Sequence, residues 1–279
     1  MNHKFFDQSN LIFLFLTAAV GVTIGTYLDL PISQTIADPG NIVYLSLAAY
    51  AQSAVWLLLS LVGMAAMRLV WDKGTSRYAG IMFFITSTIA GIGASVYDAG
   101  QYVSWHIVIR IIISVLLFAV FDYFAYKKVK DMDREELIRL MTFALLYYAL
   151  TKPLADLIKD FVGRPRYRLL LNDPGVVYQE WYDISKVQAQ ALIPVYGIDA
   201  FRSFPSGHTI NAMGAGIISM VLGGKAEPYI LYVLAVMMIR ILVGAHFVSD
   251  VSAGLLVGLI VLFVLYNICF RIGRKKDGR

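Results

Sequence analysis

Residues 250–270 read DVSAGLLVGLIVLFVLYNICF, and after its first residue this stretch contains no charged side chain. An α-helix rises about 1.5 Å per residue, so about 20 apolar residues cross the roughly 30 Å hydrocarbon core of a bilayer. The stretch is therefore long and apolar enough to span a membrane as a helix.

Seven further apolar runs precede this stretch. The eight runs lie at 11–28, 41–70, 80–97, 106–124, 137–159, 208–223, 229–245 and 250–270. Phe and Tyr near their ends are typical of helices that end at a membrane interface. The sequence predicts an all-α fold, a polytopic transmembrane helical bundle of about eight spans that forms a single membrane domain over 1–279.

The composition excludes a water-soluble globule. Hydrophobic residues make up 58% of the chain and charged residues 15%, against about 25% charged residues in an average soluble domain. The net charge of +5 is explained by basic loops between spans, so we expect no nucleic-acid partner. The single cysteine, Cys269, excludes a disulfide framework and a paired-thiol metal site.

The basic residues of the short connections predict the orientation of the chain. They are Lys73, Arg77, Lys127, Lys128, Lys130 and Arg134, with Arg271, Arg274, Lys275, Lys276 and Arg279 in the tail. The connections at 29–40 and 98–104 contain no Lys or Arg. Because cytoplasmic loops are enriched in basic residues, we expect both termini in the cytoplasm and an integral protein of the plasma membrane.

The long connection at 163–204 is an exception, since this topology places it outside. It contains Arg164, Arg166, Arg168, Lys186 and Arg202. Two interpretations remain open: the outward arginines bind an anion, or a long loop is translocated regardless of its charge.

Ionisable residues within the spans gather in the second half of the chain. Lys152, Asp156 and Lys159 recur at steps of four and three, which places them on one helical face that lines an interior seam or a wet cavity. We therefore expect accessory spans at 1–136 and a catalytic core at 137–270, with the chemistry after about residue 141.

Three short blocks in this core lie on the predicted outer side. They read KDFVGRPRY at 159–167, RSFPSGHT at 202–209 and RILVGAHFVSD at 240–250. Together they resemble the signature of the type-2 phosphatidic acid phosphatase superfamily, which consists of K-x6-R-P, P-S-G-H and S-R-x5-H-x3-D blocks. Tyr167 stands where the family has proline, and Ile239 stands where it has serine. The resemblance covers about 152–260 and implies a membrane lipid phosphatase or phosphotransferase.

The residue chemistry points to the same reaction class. Lys159, Arg166 and Arg240 can together neutralise a phosphoryl group whose charge is spread over three oxygens. Ser206 and Gly207 open the sixth span, where the hydroxyl and the backbone amides offer further donors to an anion. These five residues form the predicted substrate-binding set.

The two histidines of the blocks have different predicted roles. His246 is the predicted nucleophile, with Asp250 accepting its Nδ1 proton one helical turn away so that Nε2 can attack phosphorus. His208 is the predicted acid–base, which protonates the departing alcohol and then deprotonates water. The implied hydrolysis proceeds through a phosphohistidine and needs no metal and no cofactor.

Alternatives from other classes remain. A phosphotransferase would use the same residues, whereas a transporter would place its charges along a path through the bilayer, and a non-catalytic scaffold would have no need of both histidines. The expected partners are a lipid phosphate substrate and membrane lipids; the oligomeric state is open.

The substrate is expected at the outer membrane boundary, where a headgroup can enter while its tail stays in hydrocarbon. Undecaprenyl pyrophosphate, phosphatidylglycerol phosphate, phosphatidic acid and a lipid A phosphate all fit this description. The segment at 167–200, with Tyr178, Trp181 and Tyr182, is predicted to be a lid or headgroup reader, or else an ordinary interfacial loop.

Overall fold

The computed structural model describes residues 1–72 and 77–272, which form helices and connecting turns and include no strand. The helices are α1 (Gln8–Ile36), α2 (Ile42–Ala48), α3 (Ser53–Asp72), α4 (Arg77–Gly100), α5 (Ile107–Val129), α6 (Arg134–Val162), α7 (Tyr167–Asn172), α8 (Val187–Tyr196), α9 (Gly207–Ala212), α10 (Ala215–Leu222), α11 (Glu227–Leu242) and α12 (Val248–Tyr266). Short 3₁₀ turns lie at Lys4–Phe6 and Ile198–Phe201, and a π turn extends α12 over Asn267–Ile272. The predicted all-α class is confirmed.

All eight predicted runs are helical, but they differ in length. Within the described residues, six helices are long and apolar enough to cross a membrane: α1, the pair α2–α3, α4, α5, α6 and α12 with its extension. The sixth and seventh runs form the shorter helices α9–α10 and α11. The chain is therefore an integral membrane protein, and its described residues combine six helices of spanning length with the shorter apolar helices of the sixth and seventh runs.

Two runs are interrupted, and a tyrosine hydroxyl bonds to the backbone at each interruption. Between α2 and α3, Tyr232 donates to the carbonyl of Ala51 at 2.9 Å and accepts the amide of Ala54 at 3.3 Å. Near the junction of α9 and α10, Tyr147 donates to the carbonyl of Ile210. Because lipid offers no hydrogen-bond partners, an irregular backbone at membrane depth needs such internal ones.

Helix α1 packs closely against the start of α12 because its contact residues are small. A Cβ atom at Gly21 would lie 2.1 Å from Ser252 Oγ, and one at Gly25 would lie 2.5 Å from the amide nitrogen of Ser249. Glycines four residues apart are a common way for membrane helices to approach each other. The next residue in this row is Asp29, which the same contact buries to 1% exposure.

The two ends of the bundle are chemically different. At one end the amino terminus lies 3.3 Å from Glu136, and the hydroxyl of Tyr266 lies 3.1 Å from His3 Nδ1, so both ends of the described chain meet beside the basic α5–α6 connection. At the other end lie the 163–206 segment and the α11–α12 turn. Of the predicted cytoplasmic residues, Lys73, Arg274, Lys275, Lys276 and Arg279 lie outside the described residues.

Residues that cap α6 determine where the chain leaves this helix at the second end. Helix α6 begins with a capping box between Asp133 and Glu136 and ends at Gly163, whose φ of +67° is in the left-handed region. Glycine adopts this conformation without steric cost and so terminates helices. Lys159 is thereby fixed one turn before the 163–206 segment begins.

Candidate active site

Six of the eight predicted site residues line one cavity of about 370 Å³ at this end of the bundle. They are Lys159, Arg166, Gly207, His208, Arg240 and His246. The predicted polar face of α6 also lines it through Lys152 and Asp156. Three segments that are far apart in the sequence therefore converge on a single space.

His246 lies in the turn between α11 and α12 and is 1% exposed. Its Nδ1 is 2.7 Å from the carbonyl oxygen of Ser203; a carbonyl only accepts, so Nδ1 carries the proton and Nε2 the lone pair. Nε2 lies 3.3 Å from an Arg166 Nη1. Burial, reinforced by Arg166 and Arg240 and opposed by Asp250, lowers the pKa of His246 to about 3. The imidazole is therefore neutral at physiological pH.

Asp250 lies beside His246, as predicted, but a backbone carbonyl is closer to Nδ1. Asp250 Oδ2 is 3.7 Å from Nδ1, and the closer Ser203 carbonyl is the hydrogen-bond partner. The one-turn argument fails because α12 begins at Val248, so His246 is not on the helix. Asp250 instead accepts hydrogen bonds from the amide of Phe247 at 2.8 Å and from Ser203 Oγ. It thus holds both segments that flank the imidazole.

Arg164, one of the outward arginines for which the sequence left anion binding open, donates only to protein acceptors. Its side chain is completely buried. All five of its N–H groups are used: they donate to Gln179 O at 2.8 Å, Ser249 Oγ at 2.8 Å, Asp250 Oδ1 at 2.6 Å, Asp29 Oδ2 at 2.9 Å and Tyr178 Oη at 3.0 Å. Although burial opposes the charge, the carboxylates of Asp250 and Asp29 raise the pKa of Arg164. Arg164 is a fully satisfied cation that anchors Asp250.

Asp29 brings α1 into this network. Besides Arg164, its carboxylate accepts the Ser249 amide at 2.9 Å and the Ser249 hydroxyl. The expectation that the chemistry would be confined to residues after about 141 therefore missed a member of the network. The sequence places Asp29 in the connection at 29–40, whereas α1 continues to Ile36 and so includes it in a span, where a carboxylate is costly and rarely faces lipid.

Arg166 is held rigidly beside His246. Its guanidinium donates twice to the carboxylate of Asp199, at 2.9 and 3.1 Å, and once to the Ala245 carbonyl at 3.2 Å. Burial alone would raise the pKa of Asp199, but Arg166 lowers it below the ordinary value. Tyr167, in the family's proline position, begins α7 and packs edge-on against Phe247, with ring centroids 6.0 Å apart.

The cavity also contains cationic groups that no protein acceptor satisfies. In the part of the chain that the structure describes, neither the Lys159 ammonium nor the Arg168 guanidinium makes a hydrogen bond or an ion pair, and buried Arg240 Nε lacks a partner too. Burial, together with Arg166, lowers the pKa of Arg168. Such groups are costly unless an anion completes them.

The absence of a side chain at Gly207 has a steric reason, which is the nearby ammonium group of Lys159. A Cβ atom there would lie 3.1 Å from the Nζ atom of Lys159, which is tighter than ordinary van der Waals contact. The glycine therefore leaves room for the ammonium group at the start of α9.

His208 contacts a residue from the first half of the chain. Tyr102, in the α4–α5 connection, has its hydroxyl 3.0 Å from His208 Nε2 and 2.8 Å from Arg240 Nη1. Arg240 only donates, so the tyrosine accepts from it and has its proton free for His208. Tyr102 was missed because nothing in the sequence distinguishes it from the other sixteen tyrosines.

The remaining predicted site residue, Ser206, does not line the cavity. It is fully buried, and its hydroxyl caps α9 by accepting from the amide of Thr209 at 3.4 Å. Its own amide donates to the carbonyl of Asp250 at 2.9 Å. The role of the Ser206 hydroxyl as a substrate donor stays a prediction; in the structure Ser206 caps α9 and shapes the turn that presents Gly207 and His208.

The aromatic residues predicted to read the headgroup also lie elsewhere. Trp181 donates to Thr26 Oγ1 at 3.0 Å and stacks on Phe204 with centroids 5.4 Å apart, while the hydroxyl of Tyr178 contacts Arg164. Tyr182 does not line the cavity either; from 167–200, only Arg168 and Asp199 do.

Within 1–72 and 77–272 no group of three or more His, Cys, Asp or Glu side chains is placed to hold a metal ion.

Comparison with known proteins agrees with the resemblance carried by the three blocks. The PAP2 superfamily matches residues 140–274, a range that contains all three blocks. Neither the curated proteins nor the solved structures compared with the chain gave a match.

Proposed function

Residues 140–274 belong to the PAP2 superfamily, whose members are phosphatases, and from that premise we propose that this membrane protein is a metal-independent lipid phosphate phosphatase. It hydrolyses a phosphomonoester or pyrophosphate of a phospholipid or prenyl lipid through a phosphohistidine. The observation that carries the proposal is the single cavity lined by two histidines and by cationic groups without protein partners.

In the first step the phosphoryl group binds between Lys159, Arg166 and Arg240, which offset the charge on its three peripheral oxygens. The lone pair of His246 Nε2 forms a bond to phosphorus while the bond from phosphorus to the leaving oxygen breaks. His208, in its protonated form, gives its proton to that oxygen, so the alcohol leaves as a neutral molecule.

In the second step a water molecule attacks phosphorus and the bond from phosphorus to Nε2 breaks. His208 accepts the proton of the water, and inorganic phosphate leaves. The Ser203 carbonyl and Asp250 keep the proton of His246 on Nδ1 and offset its charge in the phosphohistidine. Both histidines return to their starting forms, and no redox or metal chemistry is required for the balance.

A lipid substrate suits this cavity because its lining reaches the bundle surface. Tyr97 on α4, 70% exposed, and Lys152 on α6, whose side chain is 65% exposed, both line it. A tail can remain in hydrocarbon between these helices while the phosphate lies among the cations. We place the site on the outer face of the plasma membrane and both termini in the cytoplasm, since the basic short connection lies at the opposite end.

The decisive experiment supplies the purified protein with lipid phosphates and prenyl phosphates and measures released phosphate. We expect release that persists in excess chelator and is inhibited by vanadate, and no release from the variant His246→Ala. Activity that disappears with chelator and returns with magnesium would contradict the metal-independent mechanism.

The orientation has its own test. Single cysteines at Asn172, near the site, and at Lys128, at the opposite end, are labelled from outside with an impermeant thiol reagent in a Cys269→Ser background. Both positions are exposed, so accessibility is matched. We expect labelling at 172 only; labelling at 128 alone would place the site in the cytoplasm.

A further inference from the structure

The cavity has a second region whose chemistry differs from that of the cationic region. It is lined by the polar side chains of Gln52, Asp98 and Asn211 and by the aromatic rings of Trp56, Tyr97 and Tyr148. None of these six residues lies in one of the three sequence blocks, and four come from the first half of the chain. We call Gln52, Asp98 and Asn211 the polar wall.

The polar wall is a continuous chain of hydrogen bonds. Asn211 Nδ2 donates to Gln52 Oε1 at 2.7 Å, and Gln52 Nε2 donates to Asp98 Oδ2 at 2.9 Å. The indole N–H of Trp56 donates to the same carboxylate oxygen. Since each side chain is fixed by its neighbour, the wall presents its remaining polar atoms in a set arrangement.

Two acceptors of this wall remain available. Among the hydrogen bonds of the described residues, none ends on Asp98 Oδ1 or Asn211 Oδ1, and neither atom is sealed from the cavity. An ionised carboxylate and an amide oxygen both accept hydrogen bonds from hydroxyl groups. The wall is therefore complementary to a group that carries several hydroxyl donors.

The polar wall lies on the leaving-group side of the proposed reaction. Asn211 follows His208 by three residues at the end of α9, so the two side chains lie on one face about 5–6 Å apart at Cβ. In the proposed mechanism His208 protonates the leaving oxygen, opposite the attacking His246. The alcohol that leaves therefore lies next to the polar wall.

We propose that the substrate carries its phosphate on a hydroxylated group, either a glycerol headgroup or a sugar of a lipid. The one free hydroxyl of a glycerol headgroup donates to Asp98 Oδ1 or to Asn211 Oδ1, and the hydroxyls of a sugar donate to both, while the carbon face packs on Trp56. A hydrocarbon alcohol would leave these acceptors unsatisfied, and a second phosphate in this position would be repelled by the carboxylate. This inference rests on the proposed function, because it uses His208 to define the leaving side.

The test measures kcat/KM for four short-chain substrates in detergent: a phosphatidylglycerol phosphate, a glycosyl lipid phosphate, a phosphatidic acid and farnesyl pyrophosphate. The first two carry free hydroxyls on the leaving group and distinguish glycerol from sugar. We expect kcat/KM for at least one of them to exceed both others by about tenfold or more.

Two variants locate this preference in the wall. Asp98→Asn and Asn211→Leu should each lower kcat/KM for the hydroxylated substrate about tenfold more than they lower kcat/KM for phosphatidic acid. Asp122→Asn is the matched control: Asp122 is another carboxylate within the spans, bonded to Ser60 Oγ at 2.6 Å, and does not line the cavity.

Two results would overturn the inference while leaving the phosphatase intact. One is phosphatidic acid or farnesyl pyrophosphate being hydrolysed as fast as the hydroxylated substrates, and the other is Asp98→Asn slowing all four equally. Should a variant fail to fold, the ranking of substrates by the unaltered protein still decides. Absence of both phosphate release and phosphoenzyme with every substrate would instead remove the proposed function, and this inference with it.

Discussion

The two halves of the chain contribute different kinds of residues to one site. The half from α6 onward contains the three blocks and the family match, and its side chains form the cationic region with both histidines. The half from α1 to α5 has none of these blocks, yet it supplies Asp29, Asp98 and Tyr102, which contact or enclose them. The helices outside the family match are therefore part of the site.

Helix α1 contributes a fully buried carboxylate, Asp29, which forms an ion pair with Arg164. Arg164 lies between Asp29 and Asp250, and all three side chains are 1% exposed or less. Removing charges from water is costly, and an ion pair repays this only when its hydrogen bonds are complete. The five satisfied donors of Arg164 meet that condition. This arrangement ties the position of Asp250 to the packing of α1.

The largest effect is expected in the second half, at His246. His246→Ala removes the nucleophile and should lower the rate by roughly 10⁴-fold or more, with no acid-labile, base-stable phosphoryl group trapped on the protein. His208→Ala should slow both steps, but a substrate with a good leaving group should rescue the first and let the phosphoenzyme accumulate. A phosphoryl group found on His208 would contradict these roles.

The next-largest effects are expected at the cations of the second half. Replacing Lys159, Arg166 or Arg240 by alanine leaves transition-state charge uncompensated, at about 3 kcal/mol or on the order of a hundredfold in kcat/KM. Lys128→Ala is the control, since Lys128 is an exposed cation at the opposite end of the bundle. Steady-state kinetics with equal effects at Lys128 and Lys159 would indicate a general charge effect on the substrate surface and no defined phosphate site.

The first half is tested by Asp29→Asn, which keeps the shape but removes one charge beside Arg164. We expect unfolding to become easier by roughly 2 kcal/mol, because a hydrogen bond to a charged group is weakened, and kcat to fall about tenfold with KM unchanged. Thermal unfolding and kinetics measure these separately. A drop in stability with normal kcat would make α1 a scaffold only; Asp122→Asn is the control for loss of a carboxylate within the spans.

A smaller effect is expected at Tyr102. Tyr102→Phe removes the hydroxyl between Arg240 and His208 but keeps the ring, so about 1 kcal/mol, or roughly fivefold in kcat, should be lost. The loss should be smaller with a substrate whose leaving group needs no protonation. An equal loss with both substrates would place the role of Tyr102 in binding and not beside the acid.

The smallest effect concerns pH: we expect the rate of phosphoenzyme formation not to change as the pH is lowered. Because the pKa of His246 is lowered to about 3 from its ordinary 6.5, the nucleophile stays neutral as pH falls and is lost only near pH 3. In His208→Ala with a good leaving group, phosphoenzyme formation should therefore be constant from pH 7 to 5. A midpoint near 6.5 in rapid-quench measurements would show that His246 titrates normally.

The predictions based on the apolar composition of the eight runs agree best with the structure. The eight apolar runs are helical because a backbone in lipid must satisfy its hydrogen bonds within each segment. Their lengths were less predictable: α9–α10 and α11 are short, and two runs break where Tyr232 and Tyr147 from other helices bond to the backbone. Those partners are distant in the sequence, so no local pattern signals the breaks.

The sequence alone determined the membrane class, the order of the three blocks and the identities of both histidines and of three cations, Lys159, Arg166 and Arg240, that line the cavity. These depend on residue type and local spacing, which a linear pattern records. The tertiary structure decided that Ser203 O, not Asp250, accepts from His246, that Ser206 is a helix cap, and that Asp29 and Tyr102 reach the site. Each of these depends on a contact between segments more than forty residues apart or on the point where a helix begins, and such contacts are fixed only when the bundle is packed.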